Sequence, residues 1–324
     1  MNPSNSTPIH PFHPAQITFP TFTTLLAHYP ATVEARARRK ATDKILRPRG
    51  KKQSKAPASA PAPDRSEPTP AQRAQIQAEV DEILDLDAFR YEVLPGRVRE
   101  RERADYGEEG GHGHGYLEKE ELVKLVQWKM KHGIFRPALL GLIRSNPDSL
   151  VKTATARAFT LLASEAKDSD SSFPTQSLDA LIKPLRGVGV ATASLVLGLS
   201  GRVPFYSDDV YLWVCLGEWR SEGGIDGDGV VEERVRKGVY KRGNGELDVK
   251  YNLGEYRGLW EGGWGLRGRL GEVQWTEVER VALVVRYGDE NEKEEQSKKG
   301  GKRKQDDTTP TTTTARRRSK RLQR

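Results

Sequence analysis

The 324-residue chain has a single cysteine, Cys215, and that scarcity removes several chemistries at once. One thiol closes no internal disulfide and builds no four-cysteine zinc or iron–sulfur centre, which points to a reducing compartment. Long apolar runs are missing too. No stretch reaches the length needed to cross a bilayer, and the polar start lacks the apolar segment of a secretory signal. The expectation is a soluble, intracellular, monomeric protein with no membrane partner. Residues 1–30 contain no Lys, Arg, Asp or Glu. Apolar residues make up only 35% of the chain against 30% charged, with 19 prolines. That balance supports one folded domain between disordered flanks rather than two domains.

Charge is plentiful but unevenly placed. The net charge is +8, yet residues 298–324 carry +9 and residues 31–55 carry +8, leaving −9 for residues 56–297. The basic clusters Lys302-Arg303-Lys304 and Arg316-Arg317-Arg318-Ser319-Lys320-Arg321 read as nuclear import signals or polyanion-binding arms, so the expected compartment is the nucleus. An acidic body weakens the case for nucleic acid, whose binding rests mainly on neutralising phosphates. It offers a surface for a protein partner instead, while flexible basic arms supply a sequence-independent attraction to DNA.

Residues 1–72, rich in Pro, Ala, Ser and Thr, read as a disordered leader. Within it a short apolar segment around Phe19, Phe22, Leu25, Leu26 and Tyr29 is able to form a transient helix or dock on a partner. A helical body is expected over 73–290, interrupted by a glycine-rich surface insertion at 218–248, with a disordered basic tail at 291–324. Nearly every periodic segment has helical spacing, as in Leu122, Val123, Leu125, Val126 and Met130, and no convincing pair of alternating strands is evident. The fold class is therefore all-α. His112 and His114 lie among glycines with no third ligand, and Asp226-Gly-Asp228-Gly meets Val230 where a calcium loop needs an oxygen ligand. No metal or cofactor is expected.

The most informative stretch runs from Leu185 to Trp213. Gly187-Val188-Gly189, with helical pattern on both sides, suits a tight turn between two helices. Leu178, Leu181, Ile182 and Leu185 precede it, Ser177 being the expected cap, and Pro184 shortens or bends the first helix. Ala191, Thr192, Ala193 and Ser194 allow close approach after it. The exposed N–H groups of the turn and the positive end of the second helix form a ready site for an anion such as a DNA phosphate. Beyond Val203-Pro204, Ser207-Asp208-Asp209 opens another helix. The carboxylates act there either as a helix start or as a chemical group in a cleft. Lys129 and His132 are three apart and share a helix face, and with Arg136 they form a basic patch or ordinary surface charge around a buried Trp128.

Taken together, the segment Trp128-Lys129-Met130-Lys131-His132-Gly133-Ile134-Phe135-Arg136-Pro137, the Gly-Val-Gly turn and Val203-Pro204-Phe205-Tyr206-Ser207-Asp208 resemble the fungal and metazoan Amun-like family. That family is similar to helix-hairpin-helix DNA glycosylases, and the resemblance covers roughly residues 87–287. The turn is generic, whereas the Trp-Lys-Met-Lys-His-Gly segment is distinctive. The resemblance implies a helix-hairpin-helix glycosylase-like domain, DNA as partner, and an aspartate that stabilises the cationic sugar or activates water as the base leaves. Asp209 fits that place by its spacing to Trp213, with Asp208 the alternative. Ala191 occupies the position where bifunctional members carry a Schiff-base lysine. Any base excision by that route would be monofunctional. The competing expectation is a non-catalytic chromatin-associated or scaffold protein that keeps the fold.

Overall fold

The computed structural model describes residues 12–46, 67–104, 115–133, 136–168, 172–221, 224–227, 240–241, 247–271 and 273–288. These residues are mostly helical. In chain order the helices are α1 (Phe19–Ala27), α2 (Tyr29–Leu46), α3 (Pro70–Ala88), α4 (Leu94–Ala104), α5 (Lys119–His132), α6 (Pro137–Arg144), α7 (Asp148–Asp168), α8 (Thr175–Ile182), α9 (Val190–Leu197), α10 (Asp208–Leu216), α11 (Leu253–Leu270) and α12 (Trp275–Tyr287). The loop bearing His112 and His114, the basic tail from 289 onward and most of the 218–248 insertion lie outside the described residues. What is described of that insertion contains two short antiparallel ladders, Glu218–Ser221 against Gly224–Gly227 and Tyr240–Lys241 against Leu247–Asp248. The sequence showed no strand pattern there, since two to four residues are too few to display a period of two.

The leader departs furthest from expectation. Far from being disordered throughout 1–72, it folds over residues 12–46 onto the body. Thr18 caps α1, with Pro20 in the first turn. Phe22 joins the main core, while Tyr29, Val33, Ala37 and Ala41 line one stripe of α2 and pack with Ile76, Val80 and Ile83 of α3 and Leu283 and Val284 of α12. This stripe repeats every four residues, but two of its four members are alanine, so composition hid it. The segment before α1 is tied down as well: Trp213 Nε1 donates to the Phe12 carbonyl at 2.8 Å, and Arg269 donates to the carbonyls of Pro14 and Ile17.

Helix α3 begins with a capping box, in which Gln72 N–H donates to Thr69 Oγ1 and Thr69 N–H to Gln72 Oε1. It runs into a π-helical turn at Phe89–Val93 before α4, with Leu94 N–H donating to the Phe89 carbonyl. Pro95 explains the widening, because its ring clashes with the carbonyl four residues back in a regular helix. The bulge accompanies a fully buried Arg90, whose Nη2 lies 3.4 Å from both carboxylate oxygens of Glu279 on α12. Gly263 of α11 makes room for the Trp275 ring at the start of α12: a Cβ there would sit 2.6 Å from it.

Helices α8 and α9 are joined by the turn at 183–189, and α8 stops at Ile182 ahead of Pro184, as the sequence implied. Ser177 is not its cap. It lies inside the helix, fully buried, with its hydroxyl bonded to Glu165 of α7. The helix gains a turn at Thr175, so the serine serves packing between α7 and α8 instead. No helix among the described residues is long and apolar enough to cross a membrane.

Candidate functional site

Gly187 has φ of +79°, a backbone that side-chain-bearing residues rarely adopt, and a Cβ there would meet Leu142 Cβ at 2.9 Å. Asn146 holds this turn in place. Its Nδ2 donates to the Arg186 and Ile143 carbonyls at 3.0 Å each, and its Oδ1 accepts the Arg186 N–H at 2.8 Å. A buried side chain thus clamps the end of α6 to the glycine turn. Gly189 is the N-cap of α9, with extended backbone, and a Cβ there would find nothing within 4 Å. The Thr192 and Ala193 N–H groups donate to its carbonyl.

The first turn of α9 faces a cavity of about 350 Å³. Gly187, Gly189, Ala191 and Thr192 line one side of it, Lys129, His132 and Arg136 another, and Asp208 and Asp209 a third. Residues read from three separate stretches of sequence therefore share one cavity. Val188 does not line it; its side chain is buried in the core beneath the turn. The carboxylates are placed by Ser207, which caps α10 by accepting the Val210 N–H at 3.2 Å. Ser194 of α9 accepts the Tyr206 N–H at 3.0 Å and so fixes the link leading to α10.

The two aspartates have different surroundings. Asp209 Oδ1 is 2.8 Å from Arg286 Nη1 of α12, with only 16% and 17% of the two side chains exposed. Asp208 accepts the Tyr251 hydroxyl. Tyr251 holds a left-handed backbone at φ +56°, and such strain persists only where surrounding structure over-determines it. The Arg136 guanidinium sits 5.5 Å from the centre of the Tyr251 ring.

Lys129 donates to Thr192 Oγ1 at 3.0 Å. Withdrawal from water lowers its pKa to about 8, with the Arg136 charge adding to the fall and Asp208 opposing it. His132 packs against Trp128 with ring centroids 4.6 Å apart and the planes tilted by 31°. Its Nε2 lies 3.1 Å from Asp87 Oδ1, though off the line of a good hydrogen bond. Burial keeps the imidazole below its ordinary range, against the pull of Asp87. Asp87 also accepts the Tyr29 hydroxyl at 2.8 Å and Trp128 Nε1 at 3.0 Å. Burial pushes its carboxyl up, but His132, Trp128 and Tyr29 together hold it below the usual range. Glu279, also at the cavity, is pushed up by burial against the opposing Arg90 charge.

Sequence reasoning passed over Arg36 and Lys40 of α2, which line the cavity from the supposedly disordered leader. Lys40 Nζ donates to the Lys131 and His132 carbonyls at 2.8 and 3.1 Å, joining the leader to the end of α5. It passed over Asp87, Tyr251, Glu279 and Arg286 as well. Each is remote in sequence from the motifs it serves. No group of His, Cys, Asp and Glu suited to a metal ion occurs among the described residues. No family model matches the chain, and no curated protein or solved structure matches it either.

Proposed function

We propose that this chain is a nuclear DNA-binding protein whose helical body has the helix-hairpin-helix arrangement of DNA glycosylases and whose cavity receives one flipped nucleotide. The observation that carries this reading is the meeting of the glycine turn, two carboxylates and several cations at a single cavity. At about 350 Å³ it falls within the roughly 300–1,000 Å³ of small-molecule sites. The N-terminus of α9 and the cations lining the cavity bind phosphate, which positions the strand without reading sequence. The flipped base enters the cavity with its sugar toward α10.

Asp209 is committed to Arg286, so Asp208, oriented by Tyr251, is the carboxylate assigned to the developing positive charge on the sugar. Ala191 leaves no amine at the start of α9, and water completes the excision. Full-length protein incubated with duplexes carrying a panel of damaged or mismatched bases should leave alkali-labile abasic sites on at least one. Asp208→Asn should abolish that product. Absence of product on every duplex, or full activity in Asp208→Asn, rejects the catalytic part.

The engagement of both aspartates by protein groups favours a second reading, a chromatin-associated scaffold that binds DNA without chemistry. It predicts salt-dependent binding to duplex DNA with no excision on any lesion.

A further inference from the structure

The cations of the cavity fall into two groups set at different points along α5. Lys129 donates to Thr192 in the first turn of α9, with the Arg136 charge near it. Lys40 of α2 donates instead to the Lys131 and His132 carbonyls, which brings α2, and Arg36 one turn earlier on it, to the C-terminal end of α5. The charges met at each point differ accordingly: Arg136 and Asp208 at Lys129, but Asp87, Arg36 and Lys40 at His132. Residues three apart, as Lys129 and His132 are, lie about 4.5 Å from each other along a helix axis, the scale of two phosphates joined through one sugar.

Within the second group Arg36 has a fork of donors with nothing to receive it. Its guanidinium lies over the Tyr287 ring, 3.9 Å from the centre, and it forms no hydrogen bond or ion pair among the described residues. Arg38 on the same helix is engaged with Glu34 and Gln77, and Arg286 at the same cavity with Asp209. Arg36 is half-buried, so it has shed part of its water, and with no acidic side chain supplied to it the deficit is made good by an anion from outside. Contact with a ring occupies the face of the group and leaves its N–H edge, which matches two phosphate oxygens. The carbonyls that hold Lys40 orient its ammonium without neutralising it. Two positive charges therefore meet at this wall, a better match for phosphate than for a single carboxylate.

We infer that Arg36, with Lys40 beside it, forms a second phosphate subsite, so that the ligand of this cavity is a nucleoside carrying phosphate on both its 3′ and 5′ oxygens. The inference rests on the proposed reading for the first phosphate, at the start of α9, and narrows its substrate. An internal nucleotide of a strand qualifies, as does a free nucleoside bisphosphate. A nucleoside monophosphate fills only one subsite.

The test is calorimetric titration of the full-length protein at low salt with thymidine 3′,5′-bisphosphate and with the 3′- and 5′-monophosphates. A second charge-assisted contact should make the bisphosphate bind about tenfold or more tighter than either monophosphate. Arg36→Gln should bring the bisphosphate down to the level of a monophosphate, whereas Arg38→Gln should leave the gain intact. Bound bisphosphate should also protect Arg36 from phenylglyoxal, mapped by peptide mass, while Arg38 still reacts; this locates the subsite on the unaltered protein if the variant fails to fold. With a duplex holding one mismatched pair, Arg36→Gln should weaken binding and make the double-logarithmic salt slope shallower by about one. The bisphosphate and duplex results together uphold the inference with DNA as the source of both phosphates. A bisphosphate gain lost in Arg36→Gln, with duplex binding absent or unmoved, upholds the subsite and sinks the DNA reading, leaving a free nucleotide as the source. A bisphosphate that binds no more tightly than the monophosphates, keeps its gain in Arg36→Gln, or fails to protect Arg36 overturns the inference.

Discussion

Replacing Gly187 by alanine forces a side chain into a turn with neither the backbone freedom nor the space for one. The left-handed φ of +79° costs an ordinary residue about 1–2 kcal/mol. The new methyl also meets Leu142 Cβ at 2.9 Å and Leu139 Cδ1 at 3.3 Å. Both neighbours sit on α6, which Asn146 clamps to the turn, so they cannot retreat without moving the helix. Overpacking of this kind adds about 1–3 kcal/mol, for a total of about 2–5 kcal/mol. For a folded unit of this size that corresponds to a fall in Tm of roughly 5–15 °C. Gly189→Ala is the internal control. Its φ of −104° suits any residue and nothing lies within 4 Å of the added methyl, so its effect should stay within about 1 kcal/mol. Thermal melts followed by circular dichroism, with urea titrations for ΔG, read both variants. Equal destabilisation by the two substitutions would refute the argument that Gly187 is fixed by conformation and contact while Gly189 is not.

Other consequences are open to measurement. Asp209→Asn removes the charged acceptor of Arg286 in a mostly buried setting and should cost about 1–3 kcal/mol; an unchanged urea midpoint would show the pair to be ornamental. Asp208→Asn removes the charge that supports protonated Lys129, so the lysine should titrate below its present value of about 8, as read by NMR of reductively methylated protein, and an upward shift would contradict the assignment. Stability should fall on acidification from pH 7 to 5. His132 is held below its ordinary pKa of 6.5, so its contribution is complete above that value and is lost as pH drops through the depressed folded one. Asp87 acts in the same direction at lower pH, whereas Glu279, raised by burial, has the opposite sign: its contribution is complete below 4.5 and lost as pH rises through the folded value. The fall in Tm over pH 7 to 5 should shrink in His132→Gln, and an identical slope would remove the imidazole from the account.

The elements best read from sequence were those whose local pattern decides their structure. The apolar face of α5, the glycine turn, the stop at Pro184 and the Ser207 start of α10 all follow from spacing or from one residue's backbone chemistry. The choice between Asp208 and Asp209 did not, because adjacent residues at the start of one helix both reach the cavity, and what separates them is Tyr251 and Arg286 arriving from elsewhere in the chain. The Asp87 cluster was likewise hidden. Tyr29, Trp128 and His132 converge on it from positions 41 to 58 residues away, a distance over which periodicity carries no information. Ser177 shows the opposite failure, since a good local cap signal was overridden by a hydrogen bond to Glu165 and by burial between helices.

The misread leader changes the electrostatic argument more than the fold. Dividing the chain at residue 56 assigned the basic stretch 31–55 to a flexible arm and left an acidic body. Residues 31–46, with five basic and two acidic side chains, are instead part of the folded unit, and two of those cations, Arg36 and Lys40, line the cavity itself. A cation-lined cavity on an acidic body focuses attraction on one place, which suits the proposed phosphate-binding role. The arrangement makes a firm demand of a chain shortened to begin at residue 67. It loses the burial of Phe22, Tyr29 and Val33, at about 1.5–3 kcal/mol each, and strips Asp87 of its Tyr29 bond. Near-UV circular dichroism should show loss of fixed aromatic packing, and DNA affinity should fall even if the basic tail is retained. A shortened chain with unchanged melting and unchanged affinity would mean that α1 and α2 contribute neither core nor charge, and that the cavity's field comes from elsewhere.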